Sequence, residues 1–244
     1  MRRIAILLLS TVVLAACNMA ADAQEGARAS GPPVSRGFDV GSFDSVSLSG
    51  SQNVIVAVGG PHSVRAEGDA ELIDRLEIKV ENGNLKIGMK KGSWSTSWRD
   101  GRKPVTIFVT APALTAAAIG GSGDMQIDNV EGDRFSASIG GSGDLRIAAL
   151  RVGQADFSVA GSGEIKAAGA ARSSTVSIAG SGDIDAGALE SRDASISIVG
   201  SGGVRLRAME TANVSIMGSG DVVVTGPAKC AITKMGSGDV RCEA

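Results

Sequence analysis

Six carboxylates close a recurring Gly-Ser-Gly phrase: Asp124, Asp144, Glu164, Asp183, Asp221 and Asp239. The phrases begin at Gly121, Gly141, Gly161, Gly180, Gly200, Gly218 and Gly236, and the one at Gly200 ends in Gly203 instead. The steps between them are 20, 20, 19, 20, 18 and 18 residues. Any fold that returns once per phrase stacks the acids into a column. Like charges about 5 Å apart repel and raise one another's pKa unless something compensates. Two arrangements compensate. Backbone N–H groups of each acid's own turn can donate to it, as they do to Asp in tight turns. Alternatively, a hard cation such as Ca2+ can be held through the oxygens. Carboxylate pairs on such a face also hydrolyse polysaccharides, but a catalytic site is local and asymmetric, whereas these acids repeat along the chain.

Other reactive side chains are few. His62 is the only histidine, so none of the many serines has a nearby base to activate it, and nucleophilic catalysis fails on chemistry. The Ser and Thr residues that recur three positions before each phrase suit a flat stacked face, structural or partner-binding. Cys230 and Cys242 stand six before and six after Gly236, on the inward parity of Ile232 and Val240. In an oxidising compartment they are placed to staple the last repeat as a disulfide; a metal pair is the other possibility, though no further ligand lies near. The formal net charge is −2, which leaves no basic footprint for nucleic acid.

The elements that position these residues follow from the spacing. Two before each phrase stand Ile119, Ile139, Val159, Ile178, Ile198, Ile216 and Lys234, and four before stand Ala117, Ala137, Phe157, Val176, Ile196, Val214 and Ile232. Four after the first Gly stand Met125, Leu145, Ile165, Ile184, Val204, Val222 and Val240. Apolar and small polar positions alternate with period two, the sign of strands with one buried face. The Gly-Ser-Gly interrupts them as a corner. A unit of 18–20 residues is too short for a repeat containing a three-turn helix, so a β-solenoid is predicted, each coil paired with the next at about 4.8 Å. Such coils bury their apolar faces only as a stack.

Before the repeats, Met1 to Ala16 reads as a signal peptide with Arg2, Arg3 and an apolar run from Ile4 to Leu14. Leu14-Ala15-Ala16-Cys17 is similar to a bacterial lipobox, which predicts lipidation of Cys17; an ordinary signal cut after Ala21-Asp22-Ala23 is the alternative. Asn18, rather than Asp, favours the outer membrane if the source is Gram-negative. Residues 17–36 read as a flexible tether and 37–244 as the solenoid domain. Within it, Gly50-Ser51-Gln52-Asn53 resembles a degenerate corner, Asp69 to Leu76 a capped helix lying on the first coils, and Glu81-Asn82-Gly83-Asn84 a hairpin turn. Lys90 to Arg102 reads as a polar loop carrying the only tryptophans, Trp94 and Trp98. These could bind a glycan or an anionic surface, or lie back on the solenoid.

The run of Ser-Ile-x-Gly-Ser-Gly-Asp-Ile coils resembles the auto-transporter adhesin head domain, the GIN domain family. So does the preamble from Phe43-Asp-Ser-Val-Ser-Leu through Leu72-Ile-Asp and Gly83-Asn-Leu-Lys-Ile to Val105-Thr-Ile. The resemblance spans roughly residues 38–242. It implies an all-β, single-stranded right-handed parallel β-helix in an envelope or secreted protein, with no catalytic residues. The expected function is therefore a non-enzymatic envelope module, lipid-anchored, with a binding, adhesive or structural role, a glycan or an envelope protein as its partner, and no cofactor. The alternative is a divalent-cation-binding or carbohydrate-active β-helix that uses the acidic column.

Overall fold

The computed structural model describes residues 34–92 and 105–243. It is 75% strand and 3% helix, arranged as a β-solenoid of about six turns. Chain order and stacking order part company at the start. β1 (Val34–Phe38) begins inside the stretch read as tether. β2 (Ser45–Gly50) and β3 (Asn53–Val58) form a first strand–corner–strand unit, and the chain then leaves the stack. β4 (Ser63–Gly68) follows, and then α1 (Ala70–Asp74), with Asp69 as N-cap accepting from the N–H groups of Glu71 and Leu72. The helix buries Leu72 and Ile73. β5 (Leu76–Glu81) and β6 (Asn84–Met89) pair antiparallel through the Asn82-Gly83 turn, whose two φ angles are +52° and +76°. Paired positive φ values match the twist of a two-residue hairpin.

β7 (Thr106–Ala111) and β8 (Ala116–Gly121) bring the chain back. β8 lies on one side of β2 and β6 on the other, while β3 is held between β7 and β9 (Met125–Gly141). β1, β4 and β7 pair antiparallel. The parallel coils give way at this end, around the predicted hairpin, to an antiparallel cap. The physical gain is closure: the first coil has no predecessor, and the excursion covers its open edge.

From β9 onward the coils are regular. β10 (Leu145–Gly161), β11 (Glu164–Gly180), β12 (Asp183–Gly200) and β13 (Gly203–Gly218) pair in parallel sequence, and β14 (Asp221–Thr225), β15 (Lys229–Gly236) and β16 (Val240–Glu243) complete the last turn. The inward files match the periodicity. One runs Leu48, Ile119, Ile139, Val159, Ile178, Ile198 and Ile216, each 3% exposed or less. The two core phenylalanines are set on a diagonal: Phe135 lies beside Ala155 and Phe157 beside Ala137, so adjacent coils exchange a large and a small residue at two positions and keep the summed volume.

At the corners the first Gly of each phrase has φ between +131° and +154°. The third position faces inward and is buried. A Cβ at either would strike the carbonyl oxygen of the equivalent glycine one coil earlier, at 2.2 Å for Gly161 and 2.2 Å for Gly163. The corners stack backbone on backbone. Each corner serine donates its N–H to the glycine carbonyl before it, as Ser162 does to Gly141 at 2.9 Å. Differences in coil length are absorbed elsewhere: the register slips between Ile147 and Leu150, Lys166 and Ala168, and Ala186 and Glu190.

Candidate functional site

The predicted acidic column exists, but its donors are not those expected. Asp124 Oδ1 accepts the N–H of Asp144 at 3.0 Å, and Asp144 Oδ1 that of Glu164 at 3.1 Å. Asp183 Oδ1 accepts from Gly203 at 2.7 Å, and Asp221 Oδ1 from Asp239 at 2.8 Å. The donor is the next coil's backbone rather than the acid's own turn. Because successive corners are in register, the following N–H stands one strand spacing away, within reach of a two-carbon side chain. The longer Glu164 breaks the pattern: it pairs with Lys166 at 2.6 Å, and the N–H of Asp183 turns to the Gly163 carbonyl at 3.1 Å. Among the described residues, no three His, Cys, Asp or Glu side chains are grouped to hold a metal ion.

This geometry sets an expected outcome. Asp144→Ala removes an acceptor and costs about 1 kcal/mol. Asp144→Asn keeps a carbonyl oxygen in place and stays within about 0.5 kcal/mol of the parent. Urea unfolding midpoints of the two variants check this.

Cys230 and Cys242 form the disulfide. Their register partners one coil earlier are Ala212 and Val224, both core residues. The bridge therefore continues two inward files across the last coil of the described residues. Lys234 ends the aliphatic file of Ile216 and donates its Nζ to the Gly238 carbonyl at 2.7 Å. An inward cation at a sheet edge discourages further strand pairing. Reduction is expected to loosen this coil by about 3 kcal/mol. In a stack of nearest neighbours the effect stays local: hydrogen exchange should accelerate over residues 229–243, with β9 to β11 unchanged.

The outer face beside the corner carries a second file. Gly140, Ala160, Ala179, Val199, Met217 and Met235 are Cα partners in succession. Ser49 and Gly120 pair at the same place nearer the N-terminal end. Side-chain size grows along the axis, and Val199, Met217 and Met235 are more than half exposed. The neighbouring file of Ser138, Ser158, Ser177, Ser197 and Ser215 forms the predicted hydroxyl ladder. Cys17, Trp94 and Trp98 lie outside the described residues.

Two features escape a reading of the sequence. Glu81 is flanked by Lys86 at 2.5 Å and Lys79 at 2.9 Å, and these ammonium groups pull its carboxyl down to about 2. Gln52 takes the place in the first corner that Gly123, Gly143 and the later glycines take in theirs. It is 1% exposed, and neither polar atom of its carboxamide has a hydrogen-bond partner among the described residues. The signal in the chain is the departure from glycine at position 52.

Residues 42–228 match a family model described as "Putative auto-transporter adhesin, head GIN domain". The chain belongs to this family. The GIN fold is also found in solved structures. A "putative adhesin" from Bacteroides fragilis NCTC 9343 is 20% identical, with a TM-score of 0.79 over 87% of this chain and 97% of that one. A "putative lipid binding protein" from Parabacteroides distasonis ATCC 8503 is 24% identical, with a TM-score of 0.68 over 88% and 97%. A "putative adhesin" from Parabacteroides merdae ATCC 43184 is 18% identical, with a TM-score of 0.66 over 88% and 97%. No curated protein matches the chain by sequence.

Proposed function

We propose that this GIN-domain chain is an exported, non-enzymatic binding module of the bacterial cell envelope, adhesive in role and carried on the outer membrane by a lipid on Cys17. The observation that carries the reading is the outer face of the stack. It presents long files of serine, glycine and exposed aliphatic side chains, a surface for contact, while the carboxylates beside it accept hydrogen bonds from the backbone. Family membership supports an adhesive role, and the Cys230–Cys242 disulfide supports an oxidising compartment. The lipobox at Cys17 supports the anchor. A net charge of −2 argues against a nucleic-acid partner.

The deciding experiment is protease and antibody accessibility on intact cells, paired with Cys17→Ser. Surface labelling, together with release of the Cys17→Ser form from the membrane fraction, is the expected result. A protein reached only after the outer membrane is opened cannot be adhesive. A mature chain beginning at Gln24 would replace the lipid anchor with an ordinary secretory signal. Calcium is the other test. With carboxylates already bonded to the backbone, calcium should raise Tm no more than equal ionic strength does. A larger rise would reassign the column to cation binding.

A further inference from the structure

We infer that a cleft at the N-terminal end of the corner file is a binding site for a neutral, hydroxyl-rich saccharide unit, read by the Gln52 carboxamide. This rests on the reading of the chain as a binding module and gives that module a ligand class. The cleft has a volume of about 520 Å³ and lies between the first corners and the β5–β6 hairpin, with Gln52, Gly88, Met89, Gly120, Lys79 and Glu77 among its lining. That size falls within the range of small-molecule sites.

Three observations point to a ligand. The first is Gln52. Its side chain folds beneath Gly50, where its Oε1 lies 2.5 Å from the position a Cβ would take. In the regular coils, the carbonyl oxygen of the preceding corner occupies the corresponding place under Gly141 and Gly161, at 2.2 Å. Among the described residues the first corner has no predecessor, and Gln52 fills in for it with no hydrogen-bond partner there for its donors or its acceptor. Both polar atoms are buried beneath Gly50, so a ligand meets the carboxamide when the side chain, held there by no hydrogen bond among the described residues, turns out into the cleft, and a molecule that supplies both kinds of partner gains most from that turn.

The second observation is the floor. Unlike the corner glycines, Gly88 and Gly120 are not demanded by the backbone. A Cβ at Gly88 would come no nearer than 3.4 Å to another heavy atom, and one at Gly120 no nearer than 3.8 Å. Further along the file, Ala160, Val199 and Met217 stand where Gly120 does, so side chains fit there. Glycine keeps the floor open.

The third is charge. Lys79 pairs with Glu77 at 3.2 Å and with Glu81 at 2.9 Å, and Lys86 pairs with Glu81. Two cations balance two anions, so the rim favours neither an anionic nor a cationic ligand. What remains is a carboxamide, the hydroxyls of Ser49, Ser51 and Ser122, exposed peptide groups and the thioether of Met89. Vicinal hydroxyls, each both donor and acceptor, match the carboxamide, and the C–H face of a sugar ring matches Met89 and the glycine floor.

The test is saturation-transfer NMR on the whole exported chain with the methyl glycosides of glucose, galactose and N-acetylglucosamine, lactose, and glucuronate as the charged comparator. Gln52→Gly installs the residue found at this place in the other corners, and Gly120→Met installs the residue of the same file in β13, so both variants should fold. At least one neutral saccharide should bind. Gln52→Gly should weaken it by about tenfold, Gly120→Met should abolish it, and neither should lower Tm. No neutral binder, binding untouched by both variants, a fall in Tm with Gln52→Gly, or preference for glucuronate would each overturn the assignment. Adherence of the whole protein to surfaces without saccharide binding would sink the cleft and keep the adhesive reading. Saccharide binding by a protein confined to the periplasm would do the reverse.

Discussion

Gly163→Ala is expected to prevent folding of the stack at its middle. The new methyl would sit 2.2 Å from the Gly143 carbonyl oxygen and 2.9 Å from Ile139 Cγ2, and neither can withdraw. Gly143 is pinned in the corner ladder, and Ile139 is a 2%-exposed member of the core file. Relief requires moving two coils apart, which breaks the pairing of β9 with β10 before the corner and of β10 with β11 after it. The expected loss is above about 4 kcal/mol, the range reserved for a small class of core and backbone disruptions. The control is Gly140→Ala. There the nearest heavy atom to the new Cβ is 3.8 Å away, and the next coils already carry Ala160 and Ala179. Two substitutions of the same chemistry, three positions apart in their respective coils, should differ by almost the whole effect in urea unfolding. Equal tolerance of both would mean that the corners do not stack as described.

Phe157→Ala should cost about 3–5 kcal/mol. Phe157 is 1% exposed and lies between Ala137 and Val176 in its file. Its neighbour within the coil is Ala155, also fully buried. Truncation leaves three alanines together, with no long side chain positioned to enter the space, because Phe135 already fills the volume next to Ala155. The apolar void should accept a small hydrophobic molecule, so benzene in the unfolding assay should restore part of the loss. Truncation at Val176, a smaller residue in the same file, should cost less. A loss for Phe157 below that for Val176 would show that this part of the core collapses to fill the gap.

The regular coils are legible in the chain because two signals coincide. Period-two alternation marks the inward files, and the glycine phrase marks where direction changes, so counting alone places Ile139, Val159 and Ile178 in one file. The disulfide follows from the same parity. The cap is not legible in this way. Alternation in Val64 to Ala66 or Ile107 to Val109 identifies strands but carries nothing about which neighbour each one chooses, or in which direction. The excursion between β3 and β7 is settled by which open edge needs covering, a property of the assembled stack. The carboxylate donors escape for a related reason. Local sequence pairs Asp124 with its own turn, whereas its partner is twenty residues away in Asp144 and becomes adjacent only on stacking. Gln52 is visible as an irregular corner, but its burial follows from the folding of its side chain beneath Gly50, which nothing local in the sequence marks.

The coils keep count at the glycine corner and lose it on the opposite wall. The changes of repeat length between neighbours are taken up there, around Ile147 to Leu150, Lys166 to Ala168, Ala186 to Glu190 and Ser191 to Asp193. That wall is therefore the natural splice point of the molecule. A foreign peptide grafted after Ala186 would be displayed outward while the corners continued to meet in phase, which makes the domain a ready scaffold for presenting new loops.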